Sequence, residues 1–226
     1  MSDRTNELAS FRWLAQVAVP GLFLLLPACG GNVEDPKIKL NTNASMRYEI
    51  IARIEGSPVA FDGFNASVNY QVTNESCVPM TPVSGVKVAP TKRIELEVVP
   101  IGNGEYRMFI FADRLKDEDY FGKGICHWSL VAASVIARKG ETEFSAGIFQ
   151  KSITTQSSVS TYYSKNALAG TMKLLDAGSD RRQTYADAGN TFAISLAAKD
   201  AHDASQQVAT SQSMAQPTIE GPTHGR

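Results

Sequence analysis

The chain has 226 residues, which is enough for one sizeable domain with appendages. Its 22 lysine and arginine residues are balanced by 23 aspartate and glutamate residues, so the formal net charge of −1 gives no electrostatic case for a nucleic-acid partner. The three cysteines are an odd number, and an exported protein needs an explanation for the one left over.

The first 28 residues have the parts of a secretory signal. Residues 1–12 are polar, residues 13–26 are mostly apolar, and Leu26-Pro27-Ala28 leads into Cys29. A secretory signal has an apolar centre of about 7–15 residues followed by a small residue at the cut site. A transmembrane anchor is the alternative, but it needs about 20 apolar residues, and Pro20-Gly21 interrupts this run. The pattern therefore predicts a cleaved signal, in which Cys29 is either modified or incidental.

The run from Leu24 to Cys29, followed by two glycines, resembles the lipobox of bacterial lipoproteins. The resemblance implies that residues 1–28 are removed, that Cys29 is lipidated and that the mature protein is anchored in a membrane. A glycine rather than an aspartate after the cysteine implies, within that class, the outer membrane. The polar residues 29–44 are then a tether between the lipid and the domain.

Apolar and polar residues alternate with a period of two through the middle of the chain, which is typical of half-buried strands. Asn103-Gly104 is a strong hairpin signal, because both residues accept a positive φ. Lys139-Gly140 marks a second hairpin turn. Strands are predicted over residues 47–55, 66–73, 93–98, 106–112, 125–138 and 143–151.

The C-terminal third is less regular. Residues 152–164 are compatible with a strand or a loop, residues 167–177 predict a short helix, and residues 191–198 predict the last strand. Residues 200–226 have few large apolar side chains and are predicted to be disordered. The sequence as a whole predicts a mainly β domain over residues 45–199, an antiparallel β-sandwich that is immunoglobulin-like or related.

Cys77 and Cys126 remain as a pair once Cys29 is lipidated. They predict a disulfide, as expected in an oxidising compartment. The alternative is that Cys126 is a nucleophile activated by His127. Neighbouring residues of a strand point to opposite faces, so these two side chains could not form a thiolate–imidazole pair there. The disulfide is therefore favoured.

Residues 113–128 are the densest polar and aromatic segment of the chain. Its acidic residues do not have the spacing of a calcium loop, so we predict no metal site. A solvated loop is the plain interpretation, whereas partner contact is the sharper one, because binding groups concentrate on loops held by rigid scaffolds. The candidate partner-binding residues are Asp117, Glu118, Asp119, Tyr120 and Phe121.

The sequence offers no positive evidence for an enzyme or a cofactor. No histidine and cysteine cluster has zinc-ligand spacing, and the Gly-x-Ser-x-Gly motif does not occur. Catalytic groups are assembled in space, so a periplasmic hydrolase remains a third-ranked alternative.

Residues 117–128 contain the pattern Tyr-aromatic-Gly-x-Gly-x-Cys-x-Trp. This pattern resembles a stretch in lipoproteins that are encoded beside secreted antibacterial effectors and act as immunity proteins. The resemblance implies a non-catalytic binder of a protein partner, facing the periplasm in the envelope of a Gram-negative bacterium. A structural or assembly lipoprotein of the envelope or a secretion system is the alternative, and the genes beside this one would discriminate between the two.

Overall fold

A computed structural model describes residues 36–82 and 84–202. The predicted signal, Cys29 and the greater part of the predicted tail therefore lie outside the described residues. The described strands are β1 (Arg47–Glu55), β2 (Gly63–Val72), β3 (Thr91–Leu96), β4 (Val99–Gly102), β5 (Glu105–Phe111), β6 (Trp128–Lys139), β7 (Thr142–Phe149), β8 (Ser158–Ser164), β9 (Leu174–Asp176) and β10 (Thr191–Asp200).

Helical structure is sparse in the described part of the chain. One short α-helix, α1 (Gln150–Thr154), follows β7. Four 3-10 helices span Glu75–Cys77, Lys165–Ala169, Arg182–Thr184 and Ala188–Asn190. No helix among these residues is long and apolar enough to cross a membrane. The prediction of a mainly β chain is confirmed.

The strands form two five-stranded sheets, with the orders β4-β5-β1-β10-β8 and β3-β2-β6-β7-β9. All neighbouring strands are antiparallel except β7 and β9, which are parallel. This parallel pair differs from the antiparallel arrangement predicted from the sequence. The parallel pairing arises because β8, which lies between β7 and β9 in the sequence, belongs to the other sheet. β8 returns the chain to the end of the sheets at which β7 begins, so β9 starts there and runs in the same direction as β7.

The alternating residues of both sheets bury their apolar members in one common core. On β1, Tyr48, Ile50 and Ala52 are buried as the alternation predicts. Phe144 of β7 packs edge-on against Phe192 of β10, with ring centroids 5.2 Å apart. The inner faces of the two sheets therefore lie against each other through aromatic contacts.

Two buried tyrosines add hydrogen bonds between the sheets. The Tyr70 hydroxyl donates to the carbonyl oxygen of Phe111 at 2.6 Å, and the Tyr163 hydroxyl donates to that of Ser145 at 2.7 Å. Burial raises the pKa of both hydroxyls well above the ordinary value of 10, so they remain neutral donors.

The predicted helix over residues 167–177 is not confirmed. The chain makes the 3-10 helix Lys165–Ala169, and Gly170 then adopts a left-handed conformation with φ of 65° that ends it. Further on, the backbone of β9 pairs with β7. The open choice over residues 152–164 is resolved as the end of α1 followed by β8.

The first residues of the predicted tail and part of the predicted tether are packed on the domain. Asp200 is the last residue of β10 and pairs with Tyr48. The backbone N–H of Ala201 donates to the carbonyl oxygen of Arg47. Leu40 makes an isolated antiparallel bridge with Leu115.

The connections between strands gather at two ends of the sheets. We call one the loop end, formed by residues 36–46, 73–90, 112–127 and 150–157. We call the other the hairpin end, formed by residues 56–62, 102–104, 139–141 and 165–173. The strand registers define them: Arg47 pairs with Phe111 and Val72 with Trp128 at the loop end, while Arg53 pairs with Glu105 at the hairpin end.

Candidate functional site

The polar and aromatic segment of residues 113–127 lies at the loop end, between β5 and β6. Its first part is held by the N-terminal segment that precedes β1. The Asp113 carboxylate accepts hydrogen bonds from the backbone N–H groups of Ser45 at 2.9 Å and Met46 at 3.0 Å. The backbone N–H of Lys116 donates to the carbonyl oxygen of Lys39 at 3.0 Å. The segment is therefore anchored along its length.

Asp117 closes this segment across ten residues. Its Oδ1 accepts a hydrogen bond from the backbone N–H of Trp128 at 2.9 Å. Its Oδ2 lies 2.7 Å from Nδ1 of His127. Both oxygens thus hold the start of β6, although the Asp117 side chain keeps about half of its surface exposed.

Glu118 joins the segment both to the N-terminal residues and to its own far side. Its carboxylate lies 2.6 Å from Lys39 Nζ, and its carbonyl oxygen accepts the backbone N–H of Cys126 at 3.0 Å. The hydrogen bond and charge of Lys39 hold the pKa of the Glu118 carboxyl below its ordinary value. The same contact raises the pKa of Lys39. Glu118 therefore stays charged in a fixed position.

Asp119 forms the turn at residues 119–123, midway along the part of the segment between Asp117 and His127. Its Oδ1 accepts hydrogen bonds from the backbone N–H groups of Phe121 at 3.2 Å and Lys123 at 3.0 Å. Loss of hydration works to raise the pKa of this carboxyl, but the surrounding backbone N–H groups outweigh it and lower the pKa. Gly122 and Gly124 both have positive φ, which allows the chain to reverse here.

The two aromatic candidates point towards the protein rather than away from it. Tyr120 and Phe121 are half-buried and pack on a second small core formed by Val72, Cys77, Val78 and Cys126. The Tyr120 hydroxyl also donates to the carbonyl oxygen of Lys116 at 2.6 Å. These rings therefore hold the segment on the domain, and only part of their surface is available to a partner.

The predicted disulfide between Cys77 and Cys126 is present, with both residues fully buried and their Cα atoms 5.3 Å apart. Asn74 reinforces it, because its side chain accepts the backbone N–H of His127 at 2.7 Å and donates to the carbonyl oxygen of Ile125 at 2.8 Å. Asn74 is not among the residues predicted from the sequence, in which its only signal is that an asparagine lies three positions before Cys77. We call residues 73–78 and 113–127 the stapled loops.

The structure brings all five candidate residues into these loops, but it gives them different roles. Their outward surface consists of exposed polar side chains, Asp117, Asp119, Lys123 and His127, together with exposed Ile125. In the described ranges, no group of three histidine, cysteine, aspartate or glutamate side chains could hold a metal ion. The arrangement is suited to recognition by a preordered surface.

A cleft of about 450 Å³ opens beside the stapled loops. Its walls include Met46, Asp113, Trp128 and Gln150. The amide of Gln150 is occupied by a hydrogen bond to the Ser129 hydroxyl, and the Asp113 carboxylate accepts the backbone N–H groups of Ser45 and Met46. Much of the polar lining is therefore engaged within the protein.

Comparison with known proteins identifies no relative. No family model matches the chain. A search of curated proteins finds no match, and neither does a search of solved structures.

Proposed function

We propose that this chain is a lipoprotein anchored in the envelope of a Gram-negative bacterium and facing the periplasm, whose β domain is a non-catalytic binding module. In its sharpest form it is an immunity protein that binds and neutralises a secreted antibacterial effector. The anchoring part rests on the lipobox-like run that ends at Cys29. The Cys77–Cys126 disulfide agrees with it, because disulfides persist in oxidising compartments such as the periplasm.

One observation carries the binding part of the proposal, namely the preordered state of the stapled loops. The carboxylates of Asp117, Glu118 and Asp119 all accept hydrogen bonds from groups within the protein. The disulfide holds the base of the loops. A surface that is already ordered loses less conformational entropy when a partner binds. Such extensive internal bonding of a polar loop therefore favours recognition over a role as a passive connection.

We also propose that the two sheets form the sandwich predicted from the sequence, of the immunoglobulin-like or a related type. Their common core and the two tyrosine hydrogen bonds between them support this arrangement. A sandwich fold carries no function by itself, so the proposed activity rests on the loops.

The experiment is a protection assay in cells that export the full chain. The probe is the product of the open reading frame beside this gene, directed to the periplasm. Cells with the parent protein should survive, and those carrying Cys29→Ser should be protected less. Lys123→Glu should weaken protection, whereas Lys92→Glu on β3 should not, although it changes the net charge equally.

Three results would count against the proposal. Full killing of cells that contain the parent protein would contradict the proposed effector immunity and favour an accessory role in the envelope. Equal protection by the Lys123→Glu and parent proteins would place the binding surface elsewhere. A water-soluble mature protein that does not start at Cys29 would remove the lipid anchor.

A further inference from the structure

A second segment at the loop end, which lies outside the proposed recognition surface, is rich in apolar residues. Residues 78–91 contain one charged residue, Lys87, and no acidic residue. Three large apolar side chains in this segment are more than half exposed: Met80 at 64%, Val86 at 55% and Val88 at 64%. Exposed apolar side chains grouped in this way commonly mark a contact surface.

The segment is folded back on itself as a narrow tip. Met80 and Lys87 form an antiparallel bridge, and the backbone N–H of Thr81 donates to the carbonyl oxygen of Val86 at 2.9 Å. Bridged residues share a side, and successive residues of an extended segment alternate. Val86 and Val88 therefore lie on the side opposite Met80. A flat protein surface would cover the apolar side chains on one side of this tip only. A lipid phase surrounds the tip and covers the apolar side chains on both sides.

The tip also lies at the end of the domain from which the chain leads back towards Cys29. The backbone N–H of Val72 donates to the carbonyl oxygen of Pro90, which places the base of the tip beside the start of β6. Seven residue steps separate Cys29 from Pro36, and an extended chain of that length spans at most about 25 Å. A lipid on Cys29 would therefore keep the loop end close to the membrane surface.

We propose that Met80, Val86 and Val88 insert their side chains into the surface of the phospholipid bilayer that holds the lipidated Cys29. This inference rests on the proposed lipid anchor. The single charge of the segment is the Lys87 ammonium, which donates one hydrogen bond to the carbonyl oxygen of Glu75 at 2.8 Å and whose positive charge is compatible with anionic headgroups. The contact is a second point of attachment, and it keeps the stapled loops near the membrane surface, because Cys77 at the base of the tip is bonded to Cys126.

The experiment uses the mature lipidated chain in vesicles of phosphatidylethanolamine and phosphatidylglycerol with brominated acyl chains, which quench tryptophan fluorescence on contact. Met80→Trp places a reporter on the tip. Met172→Trp is the matched control, because Met172 is 62% exposed and its carbonyl oxygen accepts the Thr142 hydroxyl at the hairpin end. After subtraction of the parent signal from Trp128, the Met80→Trp chain should be quenched at least about twofold and the Met172→Trp chain should be unchanged.

The outcomes separate this inference from the proposed anchor. Vesicle flotation of the parent comes first, and a parent that does not float overturns both the lipid anchor and the membrane contact. A parent that floats while Met80→Trp is unquenched overturns the membrane contact alone. A blue-shifted but unquenched reporter indicates a protein or a second copy on the tip, and equal quenching of both reporters indicates no fixed orientation. Each of these overturns the inference, and Val88→Trp repeats the test if Met80→Trp does not fold.

Discussion

Phe144 lies where the two sheets meet, fully buried and in contact with Phe61, Tyr163 and Phe192. Replacement by alanine removes these contacts and leaves a cavity. We expect Phe144→Ala to lower the free energy of unfolding by about 3–5 kcal/mol in urea denaturation. Phe149→Ala is the control, because Phe149 is 67% exposed, and it should change stability by no more than about 0.5 kcal/mol. Similar losses in both variants would contradict the common core.

The Tyr163 hydroxyl tests the hydrogen bonds between the sheets. Tyr163→Phe keeps the ring but leaves the half-buried Ser145 without the hydroxyl donor to its carbonyl oxygen, so stability should fall by about 1–3 kcal/mol. Tyr162→Phe on the same strand is the control, because its hydroxyl has no hydrogen-bond partner within the ranges the structure describes. Thermal or urea unfolding measures both, and a neutral Tyr163→Phe would show that this bond contributes little.

Tyr120 and Phe121 show how a residue-level interpretation depends on packing. Aromatic side chains in a polar loop indicate binding anchors when only the sequence is considered. In the structure, both contact the small core around the disulfide, and Tyr120 also donates to Lys116. Loss of binding in a variant of either residue therefore has to be separated from loss of folding, which is why Lys123→Glu is the sharper probe.

At the scale of elements, the disulfide joins the stapled loops across 49 residues of chain. Closing a loop of this length restricts the unfolded chain, and removing such a bond costs about 2–5 kcal/mol. Cys77→Ala combined with Cys126→Ala should show this loss in chemical denaturation. Reductant should destabilise the parent by a similar amount and leave the double variant unchanged. A parent whose stability does not respond to reductant would contradict the prediction.

The Lys39–Glu118 contact makes the docking of the N-terminal segment depend on pH. The pKa of Glu118 lies below its ordinary value of 4.5, so the stabilisation is present above that value and is lost as the pH falls through the lowered pKa. The pKa of Lys39 lies above its ordinary value of 10.5, so the contribution is complete below that value and is lost as the pH rises through the raised pKa.

We therefore expect amide hydrogen exchange of residues 39–41 to be slowest at intermediate pH, after correction for the intrinsic rate. Glu118→Gln should remove the change at acid pH, since no carboxylate remains to be protonated. An identical acid profile in this variant and in the parent would assign the change to another group.

At the scale of the whole molecule, the turn after β8 lies against the β6–β7 hairpin of the other sheet. Gly170 in the turn and Gly140 in the hairpin allow this close approach. A Cβ on Gly170 would lie 2.6 Å from the carbonyl oxygen of Lys139, and the residue has φ of 65°. Gly170→Ala should combine a left-handed strain of about 1–2 kcal/mol with an overpacking cost of about 1–3 kcal/mol. Gly85→Ala isolates the strain, because Gly85 has φ of 66° and open space around it. Equal losses of stability in the two variants would contradict the close approach.

The sequence by itself determined the strands β1, β2, β3, β5, β6, β7 and β10 and, on β1, which residues are buried. Alternation is a local property of an extended chain, so the buried side chains of Tyr48, Ile50 and Ala52 can be identified without knowing any partner strand. The Asn103-Gly104 hairpin is local in the same way, since Asn103 has φ of 54° and Gly104 has φ of 73°. The Cys77–Cys126 disulfide followed from the number of cysteines and the resemblance at Cys29.

Only the tertiary structure decided what depends on contacts between distant segments. The apolar residues from Leu168 to Leu175 fit a helical period, but pairing of β9 with β7 and the left-handed Gly170 outweigh that local preference. From the sequence alone, the carboxylates of Asp117 and Glu118 are as compatible with exposure to solvent as with bonding inside the protein. Their hydrogen bonds to Lys39, His127 and Trp128 exist because folding brings the N-terminal segment and the start of β6 to the same loop.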